Sequence, residues 1–244
     1  MPSIPRYLLA GDQALVVEFG DAIDPAINRR VRDLFLALQR AGIPGVVDLI
    51  PTYRSLLIQY DPLRLPLSSL RDEIDALEAH LGEVPLPPPR VVEIPTAYGG
   101  EFGPDIDFVA RHNGVTPDNV VAIHSERDYL VYMMGFSPGF TYLGGLSERI
   151  ATPRLKTPRT AIPAGSVGIA QQQTGIYPVV SPGGWQLVGR TPIRLFDARR
   201  DPPTVVEPGD YIRFVPIDRA RYAEIEREME EERYELVIDT TVRT

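Results

Sequence analysis

Two segments, GFSPGFTYLGGL at residues 135–146 and TPRTAIPAGSVGIAQQQTGIYPVVSPGGWQLVGRTP at residues 157–192, decide the fold of this chain. Residues 135–192, here called the Gly/Pro-rich stretch, hold ten of the 20 glycines and seven of the 25 prolines, a composition that argues against ordinary helix or regular strand. Large apolar side chains lie between these glycines and prolines, so the stretch is not a low-complexity linker. We therefore expect a folded surface of tight turns, where binding sites tend to lie.

The overall composition is that of a folded protein of one large or two modest domains. The chain has 244 residues, 43% hydrophobic and 24% charged. Its net charge of -8 argues against nucleic acid or an anionic membrane as a partner. With no cysteine, thiolate nucleophiles and disulfides are excluded. The sequence shows no signal peptide and no uncharged run long enough to span a bilayer, so we expect a cytoplasmic protein.

Several common catalytic and nucleotide-binding motifs are missing. Lys156 is the only lysine, and it lies in Leu-Lys-Thr without a preceding glycine, so there is no Walker A loop. The patterns GxGxxG, HExxH and the EF-hand loop are also absent, and no metal site is predicted. A phosphate would have to be held by arginines and backbone amides.

Hydrophobic periodicity divides the chain into two domains. Residues 1–84 show the order ββαββα, which predicts an α+β domain with an antiparallel sheet covered by two helices. Asp24, Pro25 and Gly42 are typical of the start and end of its first helix. A Pro-rich linker is predicted at residues 85–90.

Residues 91–244 are predicted to form a mainly-β domain, a barrel or sandwich of short strands separated by turns. Helices are expected at residues 105–113 and 117–125, together with a solvated charged helix at 218–232. The predicted strands are residues 91–94, 129–134, 167–170, 176–180, 186–188, 194–196 and 211–215.

The motifs of the Gly/Pro-rich stretch, together with PTYRSLLIQYDP at residues 51–62, resemble the allophanate hydrolase subunit 1 family, also described as subdomains C and D of a carboxyltransferase domain. The resemblance covers essentially the whole chain. It implies that the second domain is a cyclophilin-like β-barrel. Gln171 and Gln172 depart from the small residues usual at this point in the family, which puts the shape of that edge, and with it the substrate, in question.

The family includes the B-type component of 5-oxoprolinase, and this is the function that the resemblance implies first. That enzyme uses ATP, with Mg²⁺, to open the lactam of 5-oxoproline to glutamate. The implied partner is a protein of the allophanate hydrolase subunit 2 family, the C-type component of 5-oxoprolinase, without which this chain is expected to be inactive. Two alternatives stay open: an inhibitor of a sensor histidine kinase, like KipI, and the carboxyltransferase part of a biotin-dependent enzyme such as urea carboxylase.

Lactam activation needs donors for developing oxyanions and cations for phosphates. Backbone amides at residues 165–168 and 181–184 could form anion-binding nests, and the guanidinium groups of two arginines could bind carboxylate or phosphate. Each of these residues also has a purely structural interpretation. The candidate binding residues are Ser137, Phe140, Arg159, Gly165, Ser166, Gly168, Gln173, Thr174, Tyr177, Ser181, Gly183, Gly184 and Arg190.

No catalytic residue is identified by a motif. His124 is the best candidate for a general base among the three histidines, although its place near a predicted helix end favours a capping role for a charged ring. Arg159 and Gln173 are the other catalytic candidates.

Overall fold

The computed structural model describes residues 5–81 and 90–243, and the chain divides into two units, Met1–Pro88 and Pro89–Thr244. The predicted linker lies outside the described residues except for Arg90. In the described ranges, no helix has the length and apolar character needed to span a bilayer.

The first unit is an antiparallel sheet of four strands with two helices, as predicted. Its sheet order is β1-β2-β4-β3. Helices α1 and α2 pack against the sheet around a core of buried residues that includes Val17, Leu34, Ile58 and Ile74. The elements are β1 (Arg6–Leu9), β2 (Ala14–Glu18), α1 (Pro25–Ala41), β3 (Val46–Pro51), β4 (Ser55–Tyr60) and α2 (Leu67–Glu78).

Local signals define α1. The Asp24 side chain accepts hydrogen bonds from the amides of Ala26 and Ile27, and Pro25 is the first helical residue. Gly42 ends the helix in the left-handed conformation, with φ of 57°, which a residue without Cβ adopts at little cost.

The second unit is a closed barrel of seven strands. The strands follow the order β12-β9-β10-β7-β6-β13-β5, and pairing between β12 and β5 closes the ring. All neighbours are antiparallel except β13 and β5, which are parallel. The strands are β5 (Val91–Tyr98), β6 (Asp128–Met134), β7 (Thr141–Gly144), β8 (Arg159–Ile162), β9 (Ser166–Ala170), β10 (Gln173–Ile176), β11 (Ser181–Gly183), β12 (Gln186–Arg190), β13 (Tyr211–Pro216) and β14 (Ile238–Asp239). The helices are α3 (Ile106–Asn113), α4 (Pro117–Ser125) and α5 (Arg219–Glu230).

The barrel core is built from apolar residues of its strands. Ile94, Val131, Leu143, Val167 and Ile212 are fully buried members of one apolar cluster, to which α3 and α4 also contribute. Burial of side chains from strand after strand explains why this unit holds together despite its many short elements.

Four predictions of secondary structure are wrong. The Gly/Pro-rich stretch contains six short strands, β7 to β12, although its composition argued against regular strand. The strand predicted at 176–180 lies instead at Gln173–Ile176, because Pro178 cannot donate to a ladder and the Tyr177 amide bonds to the Ser166 carbonyl. Residues 194–196 form no strand, since hydrogen bonds to Asp197 shape this segment into a loop. Helix α5 is not wholly solvated, because it buries Tyr222 and Ile225.

Candidate functional site

The glycines of the Gly/Pro-rich stretch make room for Trp185. Gly168 and Gly175 are paired across β9 and β10, and a Cβ on either would lie 3.1 Å from an atom of the Trp185 side chain. Trp185 is only 5% exposed, so it is a buried packing residue and not a mobile lid. Gly168 therefore serves packing, because a larger residue would push Trp185 away.

Tyr177 lies at the centre of an aromatic cluster. Its ring makes edge contacts with Phe140 and Trp185, with centroid separations of 5.4 Å and 6.2 Å. Gly183 has no room for a side chain beside the Tyr177 hydroxyl and Ile162. Phe140 and Tyr177, both candidate binding residues, therefore lie in the same cluster.

Backbone contacts bring most of the predicted site residues together around Tyr177. The Gly165 amide donates to the Tyr177 carbonyl at 2.7 Å, and the Tyr177 amide donates to the Ser166 carbonyl at 2.9 Å. Ser166 is paired with Arg190 across β9 and β12. The residues gathered here, called the Tyr177 group below, are Ser137, Phe140, Arg159, Gly165, Ser166, Tyr177, Ser181, Gly183, Gly184 and Arg190.

Residues 165–168, the first predicted anion nest, have few backbone amides free to bind an anion. The Gly165 amide bonds to Tyr177, and the Ser166 amide donates to the Pro163 carbonyl at 3.3 Å. Val167 and Gly168 lie within the β9 ladders. In the second predicted nest, residues 181–183 belong to β11, which pairs with β8. The Gly165 and Ser166 amides are already used within the fold and cannot also bind an anion.

Three serine hydroxyls among the candidate binding residues have no hydrogen-bond partner in the part of the chain that the structure describes. The Oγ atoms of Ser137, Ser166 and Ser181 are buried and make no hydrogen bond in the described part of the chain. A buried hydroxyl without a partner costs about 1–3 kcal/mol, so such groups need an explanation. All three lie in the Gly/Pro-rich stretch.

Two further unpartnered groups in this stretch were missed from the sequence. They are the Thr141 hydroxyl and the Gln186 amide oxygen, although the Gln186 amide nitrogen donates to the Pro153 carbonyl at 2.8 Å. Both residues occur within the quoted motifs, but nothing in their spacing distinguishes them from neighbouring polar residues.

The two arginines differ in how firmly they are held. The Arg159 guanidinium donates to the Asp105 carboxylate at 2.8 Å, and the other Asp105 oxygen accepts from the Leu187 amide at 2.7 Å. Arg159 is therefore part of a structural clamp. Arg190 donates to the Glu101 carbonyl across a long 3.4 Å, and its buried Nε has no partner among the described residues. Arg190 also interacts with the Tyr222 hydroxyl, but no described salt bridge pairs it with a carboxylate, so its charge is not neutralised as that of Arg159 is.

His124 lies in the barrel core, away from solvent. Its Nε2 is 2.8 Å from the Thr174 hydroxyl, which donates its own proton to the Gly168 carbonyl at 3.0 Å. Nε2 therefore carries the ring proton, and Nδ1 accepts from the Tyr98 hydroxyl at 2.8 Å. Burial lowers the pKa of His124 to about 3.

This environment does not fit the roles predicted for His124. Although the residue lies in the last turn of α4, its ring is uncharged at neutral pH and cannot act as a positively charged helix cap. It is fully buried with both nitrogens engaged, so it cannot reach a substrate as a general base. His124 is a structural residue.

Gln173 and Thr174 lie apart from the Tyr177 group. Gln173 begins β10, roughly 13 Å along the strand from Tyr177. Thr174 is fully buried, and its hydroxyl is used twice, by His124 and Gly168. The structure thus separates these two residues from the Tyr177 group.

Gln171 and Gln172 form the tip of the hairpin between β9 and β10. Gln171 has a φ of 55° and exchanges two backbone hydrogen bonds with Thr152. The Gln172 side chain donates to Glu148 at 3.3 Å. The departure from the family pattern therefore lies at the same end of β10 as Gln173, not beside Tyr177.

Comparison with known proteins agrees with this architecture. The model of the family "carboxyltransferase domain, subdomain C and D" matches residues 5–206. The chain belongs to this family. Over 222 residues it is 42% identical to the B-type component of 5-oxoprolinase from Bacillus subtilis (strain 168), covering 87% of this chain and 92% of that protein.

Solved structures share the fold. The crystal structure of TTHA0988 superposes with a TM-score of 0.76 at 37% identity, covering 84% of this chain. This chain corresponds to 40% of that longer chain. The urea carboxylase of Kluyveromyces lactis matches with a TM-score of 0.77 over 96% of this chain and 24% of its own, at 23% identity, and this likeness concerns the fold alone.

Proposed function

We propose that this chain is the B-type component of an ATP-dependent 5-oxoprolinase, which opens 5-oxoproline to glutamate together with a C-type partner. The observation that supports this most strongly is the similarity to the B. subtilis protein along nearly the whole length of both chains. A site shared with the partner would explain why the chain displays recognition groups although no catalytic residue is identified in it.

The Tyr177 group supplies the chemistry that such a component needs. The hydroxyls of Ser137 and Ser181, which have no partner among the described residues, can donate to a lactam carbonyl or a phosphate, whereas Ser166 is fully buried and supports the site only through its backbone. The Arg190 guanidinium, held to Glu101 by a long hydrogen bond, can neutralise a carboxylate or phosphate. In this proposal these residues bind and orient the substrate, and the partner completes the site.

ATP enters this proposal as a substrate of the complex. No group of three or more His, Asp or Glu side chains in residues 5–81 and 90–243 is arranged to hold a metal ion. We assign no step to a metal bound by this chain.

Reconstitution tests the proposal. The purified chain, the other oxoprolinase components encoded in the same genome, ATP and 5-oxoproline should together produce glutamate, and omission of this chain should abolish it. If all components are folded and glutamate does not exceed background, the proposal fails.

A matched pair of serine variants tests the site. Ser181→Ala removes an unpartnered hydroxyl and should lower kcat/KM by about tenfold or more, because a hydrogen bond to a charged group contributes about 1.5–3 kcal/mol. Ser125→Ala is the control, since that hydroxyl donates to the Val121 carbonyl at 2.8 Å in α4. Equal activity of the two variants would remove Ser181 from the site.

A second candidate function is binding to a sensor histidine kinase. The observation that favours it is an exposed apolar surface: Phe136 is 68% and Val180 67% exposed, on neighbouring loops. In a pull-down with the host's purified sensor kinases, Phe136→Ser should lose binding while Leu63→Ser, another exposed apolar residue, retains it. Absence of binding by the unmodified chain would dismiss this function.

A further inference from the structure

A cavity of about 440 Å³ lies beside the loop that follows the Gly/Pro-rich stretch. It contains none of the site residues discussed above. The residues that line it are Arg194, Asp197, Arg199, Arg200, Met229, Glu232 and Tyr234. Its size falls in the range of sites that take small organic molecules.

One carboxylate organises the loop and is fully engaged. Asp197 accepts from Nε and Nη2 of Arg199 at 3.0 Å and 2.7 Å, and from Nη1 of Arg194 at 3.2 Å. The hydrogen bonds from Arg199 hold the pKa of Asp197 well below its usual range, so this carboxylate stays charged. The two arginines are therefore assembled within the loop before any ligand arrives.

The third arginine is held by backbone groups. Nη2 of Arg200 donates to the Arg194 carbonyl at 2.8 Å, while its Nε is buried and has no partner in the described part of the chain. The carboxylate of Asp197 pairs with Arg194 and Arg199, and no described salt bridge involves Arg200. This cation is therefore positioned, but its charge is not neutralised by direct contact.

The charges around the cavity leave one positive charge in excess. Three guanidinium groups face two carboxylates, Asp197 and Glu232, and the Glu232 charge acts on Arg199. Guanidinium groups offer planar pairs of donors that match carboxylates. A ligand with one negative charge would neutralise the excess positive charge of the groups that line the cavity.

The rest of the cavity wall is less polar. Met229 lies in the last turn of α5, and Tyr234 follows the helix, both partly buried against the barrel core. Because a thioether and an aromatic ring pack well against carbon, they provide a contact surface for the body of an organic ligand.

We propose that this cavity binds a small organic monocarboxylate, with the carboxylate at Arg200 and Arg194 and an apolar body against Met229 and Tyr234. The inference does not depend on the proposed enzymatic function, because it rests on residues outside the Tyr177 group.

Isothermal titration calorimetry with the full chain tests this inference directly. The probes are 5-oxoproline and benzoate, which are carboxylates with apolar ring atoms, and inorganic phosphate, which has no apolar body. We expect one of the carboxylates to bind with a stoichiometry of one and at least about tenfold more tightly than phosphate. Binding of neither carboxylate at millimolar concentration, or equal binding of phosphate, would overturn the proposal.

Variants locate the binding. Arg200→Met should weaken carboxylate binding about tenfold, through the loss of a charge-assisted hydrogen bond. Arg219→Met is the matched control, since Arg219 is 81% exposed and pairs with Glu101 outside the cavity. If Arg200→Met does not fold, Arg194→Met replaces it, and Met229→Gln tests the apolar contact. Retained binding in the folded cavity variants, or equal loss in Arg219→Met, would refute the assignment.

Discussion

Buried hydroxyls at the two ends of strand β10 differ in whether they have hydrogen-bond partners. At one end, the Thr174 hydroxyl accepts from His124 and donates to Gly168, so its hydrogen-bonding capacity is used within the fold. At the other end, where Tyr177 follows the strand, the hydroxyls of Ser166 and Ser181 are buried and have no partner among the described residues. A satisfied buried network stabilises a core, whereas unsatisfied groups cost stability and are retained where function needs them. The difference distinguishes a hydroxyl that the fold uses from the hydroxyls of the region for which we propose a binding role.

The largest effect on stability is expected from a substitution at the end of β10 where the buried Thr174 hydroxyl is hydrogen-bonded. His124→Ala should lower the free energy of unfolding by about 3 kcal/mol, because it leaves a cavity beside Phe214 and removes the partner of the Tyr98 hydroxyl. Urea unfolding followed by circular dichroism measures the change. His112→Ala, whose ring stacks on the exposed Phe108, should change stability by less than about 1 kcal/mol. Similar losses in both variants would contradict a special role for the buried network.

The pH dependence of stability tests the same hydrogen-bonded end of β10, through the titration of His124. The pKa of His124 is lowered to about 3 in the folded chain, so between pH 3 and its unfolded value near 6.5 only the unfolded state gains a proton. The stability contributed by the neutral ring should therefore be complete above about pH 6.5 and fall as the pH drops toward 3. From about pH 7 to about pH 5, wild type should lose about 2 kcal/mol more than His124→Ala. Parallel pH profiles for the two proteins would show that the ring is not buried in its neutral form.

The smallest effect on stability is expected at the other end of β10, where the buried hydroxyls have no partner among the described residues. Ser166→Ala should change the free energy of unfolding by less than about 0.5 kcal/mol or raise it, because no hydrogen bond is lost. Thr174→Val should cost about 1–3 kcal/mol, since it leaves the His124 Nε2–H without an acceptor. Chemical denaturation of both variants gives the comparison, and equal destabilisation would mean that the Ser166 hydroxyl has a structural partner.

The elements that local signals define were predicted well. Asp24, Pro25 and Gly42 delimit α1, and Thr116 and Pro117 begin α4, because helix caps involve residues only a few positions apart. The order ββαββα and the succession of short strands follow from patterns within single elements. Fold class was therefore accessible from sequence.

The site was only partly accessible. The quoted motifs singled out Ser137, Ser166 and Ser181, whose hydroxyls are unpartnered in the described structure. The same motifs also singled out Thr174, and the choice among three histidines selected His124, but the fold uses both for stability. Arg159 could not be recognised as clamped, since its partner Asp105 is 54 residues away in the chain.

The sequence by itself determined the helices with their caps, the order of the two domains and the stretch in which unusual polar groups concentrate, since all of these depend on neighbouring residues. Only the tertiary structure decided which of the described hydroxyls have partners, which arginine is clamped and how β12 meets β5 to close the barrel. The physical reason is that satisfaction of a buried polar group depends on atoms brought together from distant parts of the chain, and no local pattern specifies those distances.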